Sequence, residues 1–320
     1  MNSFFPWIGG KKLLRKIILS MFPPEYDRYV EVFGGAAWIL FAKEPERFEI
    51  YNDYNGDLTN LFYVVKYKHL AFLKELGFLP LNGKDEFDLL MEWNRQGDFT
   101  LPHMDSELEL AKRYLPPIQY KEYCAMMCEK AELGDGRRAA TFYKLIRYSY
   151  GGSSSSFNGQ PVNLMQNYDV ISQANRRLNE NGVKSRLDLR LAGGMAGKGV
   201  VITNKSYADL LPAVNKKGTF AYCDPPYYGT EGLYAKRFML HDHYHLHDLA
   251  LGFEGYIMIS YNDDPFICNL YEKDFYIERV ERLNSLSQRN KPGEMYKELI
   301  ISNYDPHERR NRQPKQLSLL

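Results

Sequence analysis

The chain contains 320 residues, of which 44% are hydrophobic, and its formal net charge is only +1 at pH 7. That length suffices for one large domain with an insertion or for two domains, and the hydrophobic share suffices for a buried core. No apolar run is long enough to span a membrane, and the net charge argues against a uniformly basic, polyanion-binding surface. A nucleic-acid ligand would require an uneven charge distribution.

The cysteines and the amino-terminal residues indicate the cellular compartment in which the protein is expected. Cys124, Cys128, Cys223 and Cys268 form neither a CxxC pair nor a disulfide framework, so we expect reduced thiols. The first six residues contain no cationic leader and no cleavage signal. We therefore expect a cytoplasmic protein.

The first predicted strand leads into a turn of small residues. Residues 29–32 read as a short strand, residues 34–37 as the turn, and residues 38–42 as a helical run. Glycines at such a turn let a ligand approach the backbone closely. The absence of Gly-x-Gly-x-x-Gly disfavours a nicotinamide cofactor. A second strand ends at Asp53, the usual position of an acceptor for ribose hydroxyls, so we predict nucleoside binding without a pyrophosphate.

The middle of the chain has helical periodicity. Apolar residues recur at three-to-four-residue spacing after Asp53, and residues 84–95 and 119–133 also have helical patterns. These patterns predict a mostly helical insertion over residues 66–164.

Charge is unevenly placed around this insertion. Acidic residues concentrate between residues 85 and 110, and a Gly/Ser-rich loop occupies residues 150–161. The basic residues that flank the loop are Arg137, Arg138, Lys144, Arg147, Arg176, Arg177, Lys184, Arg186 and Arg190. Beside such a loop they indicate phosphate contacts, although basic clusters also occur on solvated helix faces. The serine run would also suit a flexible linker.

The tetrapeptide Asp224-Pro225-Pro226-Tyr227 directly follows an apolar run at residues 220–223 that predicts a buried strand. The carboxyl ends of strands are where open α/β sheets bind ligands. A carboxylate, a stiffened backbone carbonyl and a flat ring together suit a planar base that bears an exocyclic amine. The alternative is a structural turn, because Pro-Pro is also a common chain stop.

Four alternating histidines, His241, His243, His245 and His247, suggest a metal site, but no acidic or cysteine partner shows metal-ligand spacing. We therefore predict no metal. Residues 256–263 read as the next strand, which leaves Asn262 either at the border of the pocket or in a turn.

The sequence resembles the Dam-like (D12 class, alpha-type) adenine-specific DNA N6-methyltransferase family. The resemblance covers ordered blocks between residues 7 and 304: Trp7-Ile8-Gly9-Gly10-Lys11, Glu31-Val32-Phe33-Gly34-Gly35, Asp53, Arg147-Tyr148-Ser149-Tyr150-Gly151-Gly152, Ser206-Tyr207-Ala208-Asp209, the block at 222–227, and Glu298-Leu299-Ile300-Ile301-Ser302-Asn303-Tyr304. Each block alone is weak evidence, but their order is specific.

The resemblance implies an α/β, Rossmann-like methyltransferase sheet with helices on both faces. It implies a catalytic domain in two parts, residues 1–65 for the cofactor and residues 165–306 for the Asp-Pro-Pro-Tyr site. Residues 66–164 would be the helical target-recognition insertion, and residues 307–320 a polar, mobile tail.

The resemblance also implies the cofactor, S-adenosyl-L-methionine, and the residues that bind it. Those residues are Trp7, Lys11, Phe33, Gly34, Gly35, Asp53, Tyr207 and Asp224. Asp53 would bind the ribose hydroxyls, and Tyr207 would pack on the adenine of the cofactor. The alternative for Trp7 and Tyr207 is ordinary core packing, and for Lys11 a solvated helix start.

The implied catalytic residues are Asp224, Pro225, Pro226 and Tyr227. Asp224 and the carbonyl of Pro225 would accept the hydrogens of an adenine amine, and Tyr227 would stack on the base. A base in duplex DNA must first be flipped out. No covalent nucleophile is required, and we read Cys223 as a small buried hydrophobe.

The implied DNA contacts are Arg147, Tyr150, Ser153, Ser154 and Asn158, with Tyr150 as the inserting aromatic. Here the sequence departs from the family, because Gly151 replaces a common Asn and the serines replace a longer basic and aromatic segment. The partner would be double-stranded DNA. The resemblance leaves open the recognition sequence and a paired restriction endonuclease.

Two alternatives remain. One keeps the enzyme but changes the substrate to an RNA adenine or another planar amide or amine. The other is a DNA-binding module without turnover, against which Lys11, Asp53 and the intact tetrapeptide argue.

Overall fold

Seven strands form one mixed sheet in the computed structural model of the protein. The model describes residues 1–77, 83–97, 104–134, 136–154, 156–159, 164–180, 182, 199–229, 238–283 and 295–308. The strands are β1 (Arg28–Glu31), β2 (Phe48–Asn52), β3 (Val201–Thr203), β4 (Thr219–Cys223), β5 (Tyr256–Asn262), β6 (Tyr276–Leu283) and β7 (Met295–Ser302). Their order is β3-β2-β1-β4-β5-β7-β6.

The pairing of these strands brings several strand ends to one edge. Strands β3, β2, β1, β4 and β5 are parallel, whereas β7 lies antiparallel between β5 and β6. In the register, Glu31 is opposite Tyr222, and Asn262 is opposite Glu298. The carboxyl ends of the parallel strands therefore lie beside the amino-terminal half of β7.

The helices, in chain order, are α1 (Arg15–Ser20), α2 (Trp38–Ala42), α3 (Gly56–Tyr67), α4 (His69–Leu76), α5 (Lys84–Gln96), α6 (Met104–Tyr114), α7 (Pro117–Gly134), α8 (Gly136–Arg147), α9 (Leu164–Asn179), α10 (Tyr207–Val214), α11 (Leu240–Leu251) and α12 (Pro265–Tyr271). The predicted helices at 84–95 and 119–133 are confirmed.

The chain divides into two compact units. The first comprises residues 1–2, 11–55 and 180–320, and the second comprises residues 3–10 and 56–179. The first contains the sheet and the second is helical, which confirms the predicted mixed α/β class. The predicted functional division at residues 65/66 and 164/165 stays a prediction.

Side chains alternate between the two faces of the sheet in the first unit. On one face, buried residues of β1, β4, β5 and β7 pack against Leu211 of α10, Leu246 of α11 and Ile267 of α12. On the other face, the ring of Phe22, just after α1, contacts the ring of Phe220 at 4.6 Å between centroids. The sheet is thus covered on both faces, as its apolar strands require.

The helical unit has its own aromatic core, which includes the first residues of the chain. The ring of Phe4 packs edge-on against Phe5 and Phe62, with centroids 4.7 and 5.3 Å apart, and the hydroxyl of Tyr143 donates to the carbonyl of Phe4. Residues 3–10 are therefore tied to helices α3 and α8 rather than fraying.

Candidate active site

Asp224 lies directly after β4, whose five residues are all buried. Its Oδ1 accepts a hydrogen bond from Ser260 Oγ at 2.8 Å and forms an ion pair with Lys11 Nζ at 2.7 Å. The Ser260 hydroxyl is itself within 3.0 Å of the hydroxyl of Tyr222. In the part of the chain that is described, both contacts use Oδ1, so Oδ2 is the oxygen left for an incoming donor.

The charge state of Asp224 reflects opposing influences. Burial raises the pKa of this carboxyl above its usual range, and the neighbouring Lys11 ammonium lowers the pKa only in part. The carboxylate of Glu298 raises the pKa of Asp224 further. A carboxylate held with such a raised pKa, beside a fixed cation, is typical of functional sites.

In the sequence, Glu298 stands out only as the first residue of a family block, and the structure shows that it belongs to this cluster. Its Oε2 accepts from the hydroxyl of Tyr227 at 2.7 Å and lies 3.8 Å from Lys11 Nζ, while its Oε1 accepts from Arg282 Nε at 2.6 Å. Burial acts to raise the pKa of Glu298, but Lys11, the Tyr227 hydroxyl and Arg282 outweigh it and lower that pKa. The buried carboxylate is thus held ionised.

Tyr227 is 8% exposed, and its orientation is set at both ends. The hydroxyl donates to Glu298, and the Lys11 ammonium lies 4.8 Å from the centroid of the ring. The ring also contacts Tyr261 at 6.1 Å. Stacking of a base on Tyr227 stays a prediction, and the ring that would do it is rigidly held.

The turn after β1 is shaped by a close approach of Gly34 to Tyr51. A Cβ on Gly34 would overlap the ring of Tyr51, whose hydroxyl donates to the carbonyl of Gly35 at 2.8 Å. Gly35 and Ala37 have positive φ angles of 49° and 54°. The small residues are therefore required by the geometry of the turn itself.

Asp53 is tied to the same turn. Its Oδ2 accepts from the backbone N–H of Gly35 at 2.8 Å, and its Oδ1 accepts from the N–H of Asn55 at 2.7 Å. Burial raises the pKa of Asp53 to about 6. The structure thus brings the predicted ribose acceptor beside the glycine turn, where backbone N–H groups of Gly35, Tyr54 and Asn55 hold its carboxylate.

Sequence reasoning missed Asn52, which is 1% exposed below this turn. Its Nδ2 donates to the carbonyls of Val32 and Lys205, and its Oδ1 accepts from Thr203 Oγ1 and the N–H of Lys205, all at 2.8 to 3.0 Å. One amide therefore joins the ends of β1, β2 and β3. Its polar character at the end of an apolar strand was the only signal available in the sequence.

Three aromatic rings form a group that includes Phe33, just after β1, and the buried residues Tyr207 and Phe238. The rings of Phe33 and Tyr207 are stacked, with centroids 5.7 Å apart, and Phe238 contacts both. The Tyr207 hydroxyl donates to Asp242 Oδ1 at 2.8 Å. The structure brings two of the predicted cofactor residues, Phe33 and Tyr207, together, and adds Phe238, which sequence reasoning missed.

Trp7 belongs to the helical unit, whereas Lys11 belongs to the unit with the sheet. The Trp7 ring packs against Phe142 at 5.9 Å and against Phe5 at 6.3 Å. These contacts show the core packing that was the alternative for Trp7. Its role with the cofactor stays a prediction.

The predicted DNA-contacting loop closes on itself after α8. Ser149 and Phe157 form an antiparallel bridge, and the N–H of Tyr150 donates to the carbonyl of Ser156. Ser154 adopts a left-handed conformation with φ 52°, and its N–H donates to Ser149 Oγ. The ring of Tyr150 is 56% exposed at this loop, where an inserting aromatic is expected.

The other predicted DNA contacts, Arg147, Ser153, Ser154 and Asn158, are all partly exposed. Asn158 is tied by its N–H to the carbonyl of Tyr148, and Ser153 by its N–H to the carbonyl of Tyr150. Arg147 is only partly exposed. Its Nε is buried with no partner among the described residues.

Several basic residues near the loop are paired within the helical unit. Arg138 forms a two-nitrogen contact with Asp57 Oδ1 at 2.7 and 2.8 Å, and Arg137 Nε lies 3.7 Å from Glu75. Arg177 is 5% exposed. These contacts reduce the free positive charge at these positions. Lys184, Arg186, Arg190 and residues 309–320 of the predicted tail lie outside the described residues.

The four histidines lie on helix α11, where alternate residues do not share a face. His243 is fully buried and its Nδ1 lies 2.8 Å from the Tyr261 hydroxyl. Within the described ranges, no group of three or more metal-ligating side chains comes together. In those same ranges, no helix is long and apolar enough to cross a membrane.

The fold and site together define a mixed α/β protein with a buried, ion-paired carboxylate at the carboxyl end of a central strand. Residues 7–286 match the family model of the D12 class N6 adenine-specific DNA methyltransferases, so the chain belongs to that family. The chain is also similar to the "Type II methyltransferase M1.LlaDCHI" of Lactococcus lactis subsp. cremoris, with 23% identity over 95% of this chain and 96% of the relative. The family implied by the sequence blocks is thereby confirmed.

Proposed function

We propose that the protein transfers a methyl group from S-adenosyl-L-methionine to the N6 amine of a flipped-out adenine at specific sites in double-stranded DNA. The observation that carries this proposal is the fixed carboxylate of Asp224, with one oxygen bound by Lys11 and Ser260 and the other left for a donor. An amine with two hydrogens is such a donor.

The residues of the first unit suit the proposed cofactor. Asp53 offers acceptors for ribose hydroxyls beside the small-residue turn of Gly34 and Gly35, and Phe33 with Tyr207 offers apolar ring surface to an adenine. When bound, S-adenosyl-L-methionine would supply an activated methyl group and leave as S-adenosyl-L-homocysteine, and the methylated amine would release one proton to solvent. The absence of a dinucleotide fingerprint agrees with a nucleoside lacking a pyrophosphate.

Catalysis would depend on the lone pair of the adenine amine, which is delocalised into the ring. Asp224 Oδ2 and the Pro225 carbonyl would each accept one amine hydrogen, which favours a pyramidal nitrogen with its lone pair directed away from them. The negative charge of Asp224 would offset the positive charge that develops on nitrogen. Such a site acts through positioning and preorganised electrostatics and needs no covalent nucleophile.

DNA contact is assigned to the helical unit. The exposed ring of Tyr150 would enter the duplex as the target base leaves it, with Arg147, Ser153, Ser154 and Asn158 around it. Unstacking a base costs a few kcal/mol, which an inserted ring partly offsets. The Type II relative suggests a cognate restriction endonuclease as a functional partner.

The direct test is transfer of labelled methyl groups from S-adenosyl-L-methionine to unmethylated duplex DNA, with RNA and free adenosine as parallel substrates. We expect labelled duplex DNA with the wild-type protein and no label in the other two. Label in RNA alone would favour the alternative substrate. Binding of cofactor and DNA without any label would favour the noncatalytic DNA-binding module.

A further inference from the structure

The cluster around Asp224 contains a second buried carboxylate, that of Glu298, to which the proposed mechanism gives no role. Glu298 is 0% exposed, and each of its oxygens has a different task. Oε1 binds Arg282, which is on the neighbouring strand β6, whereas Oε2 binds the Tyr227 hydroxyl and faces Lys11. An isolated carboxylate would be costly to bury, so these partners are needed to keep it charged.

Lys11 lies between the two carboxylates. Its Nζ is 2.7 Å from Asp224 Oδ1 and 3.8 Å from Glu298 Oε2. If Asp224 were the only anion nearby, the Lys11 ammonium would neutralise its carboxylate. That carboxylate must bind an amine that becomes positive during transfer. With Glu298 also present, the charge of Lys11 is shared between two anions.

We propose that Glu298 is a positioning residue for methyl transfer, which rests on the proposed function. Its carboxylate orients the Tyr227 ring through the hydroxyl and holds Lys11 in place. Its negative charge offsets that of Lys11, so that Asp224 remains an effective acceptor for the amine.

The count of charges gives the sign of the effect. Asp224 and Glu298 carry two negative charges, and Lys11 and Arg282 carry two positive charges, so the set is neutral. Replacing Glu298 by Gln leaves the set at +1 beside the nitrogen that becomes positive, which opposes transfer. Among the described residues, the titratable groups that face the two carboxylates are Lys11, Glu31, Tyr222, Cys223, Tyr227, Arg282 and Tyr296.

The same charge affects Asp224 directly, because the neighbouring Glu298 raises the pKa of Asp224. Removal of the Glu298 charge therefore lowers the pKa of Asp224. If Glu298 had a purely structural role, its substitution would lower activity without lowering the pKa of Asp224.

The test compares Glu298→Gln with Glu49→Gln. Glu49 is a matched control because it is a 2%-exposed strand carboxylate bound to a lysine, Lys43, at 2.6 Å. We expect single-turnover transfer from S-adenosyl-L-methionine to duplex DNA to fall at least about tenfold in Glu298→Gln. Cofactor and DNA dissociation constants should change less than about threefold, and Glu49→Gln should keep its transfer rate within about threefold.

Carboxyl ¹³C NMR of Asp224 provides a readout that needs no turnover. We expect its midpoint to move to lower pH in Glu298→Gln and to stay in place in Glu49→Gln. A transfer rate in Glu298→Gln within threefold of wild type, or an unmoved Asp224 midpoint, would overturn the proposal. Absence of transfer in the wild type would instead refute the proposed function, while the NMR titration still tests the electrostatic role.

Glu298→Asp separates charge from shape. It keeps the charge on a shorter side chain, whereas Gln keeps the shape without the charge. We expect the Asp224 midpoint of Glu298→Asp to stay near wild type, and its transfer rate to exceed that of Glu298→Gln. A lower rate than that of the Gln variant would mean that shape matters more than charge. If Glu298→Gln does not fold, a displaced Asp224 midpoint in Glu298→Asp would overturn the proposal.

Discussion

Asp224 is the residue on which the chemistry is predicted to depend. Its Oδ1 is bound by Lys11 and Ser260, so a substitution that keeps the shape should leave the surrounding structure in place. We expect Asp224→Asn to reduce methyl transfer by about 100-fold or more, because it loses the acceptor charge. DNA binding, measured by fluorescence anisotropy, should change little. A variant that kept its rate would remove Asp224 from the mechanism.

The pH dependence of transfer follows from the same carboxyl. Burial raises the pKa of Asp224, so its carboxylate becomes protonated at a higher pH than an ordinary aspartate, for which the pKa is about 3.9. Because the protonated form cannot accept the amine at full strength, we expect single-turnover transfer to fall on acidification with a midpoint above that value. A rate that stayed constant down to about pH 4 would contradict this assignment.

Asp53 gives a separate prediction for cofactor binding. Burial raises the pKa of Asp53 to about 6. Its carboxyl group is therefore ionised at pH 7 and becomes protonated as the pH falls through 6. We expect Asp53→Asn to weaken binding of S-adenosyl-L-methionine at least about tenfold at pH 7.5 by isothermal titration calorimetry. Wild-type affinity should fall below pH 6, and the affinity of the variant should not.

Asp305→Asn is the matched control for Asp53. Asp305 Oδ1 accepts a backbone N–H two residues on, from His307 at 2.8 Å, as Asp53 Oδ1 does from Asn55. Equal loss of cofactor affinity in both variants would indicate a general effect of removing a turn carboxylate rather than ribose binding.

At the scale of elements, the turn between β1 and α2 depends on the absence of a side chain at Gly34. The Tyr51 ring that a Cβ would overlap is fully buried and anchored by its hydroxyl, so it cannot easily move. We expect Gly34→Ala to destabilise the protein by about 1–3 kcal/mol in urea unfolding. Gly252→Ala, where the nearest atom lies at an ordinary 3.7 Å, should cost clearly less.

Asn52 connects three strand ends with four hydrogen bonds of a single amide. Asn52→Ala would leave buried donors and acceptors without partners, which we expect to cost about 3 kcal/mol of unfolding free energy. Asn204→Ala, which removes one exposed hydrogen bond to the carbonyl of Asp53, should cost much less. Equal costs would show that the strand ends do not depend on Asn52.

The local elements were predictable because their signals are local. The apolar run before Asp224 and the glycines after Val32 are contiguous in the chain, and the structure confirms a strand and a turn there. The partners of Asp224 could not be found in this way. Lys11, Ser260 and Glu298 are all distant from it in sequence. Ser260 is on β5, which pairs with β4, Glu298 is on β7, which pairs with β5, and Lys11 comes from the segment before α1.

In the whole molecule, the family blocks were sufficient to predict the α/β class, because several of them contain or follow strands of the sheet. They did not predict that residues 3–10 pack with the helical unit, since that depends on aromatic contacts of Phe4 with Phe62. Nor did the sequence around α8 predict that Arg138 pairs with Asp57 and Arg137 with Glu75, because these two carboxylates are on other helices of the unit.

In the proposed reaction, the amine of a DNA adenine accepts the methyl group. The most direct test is nucleoside digestion and mass spectrometry of unmethylated genomic DNA after incubation with the protein and S-adenosyl-L-methionine, followed by single-molecule sequencing. We predict N6-methyladenine confined to one short sequence motif, absent with Asp224→Asn. Methylated cytosine would refute adenine as the target, and methyladenine that persists with Asp224→Asn would refute the catalytic role of Asp224.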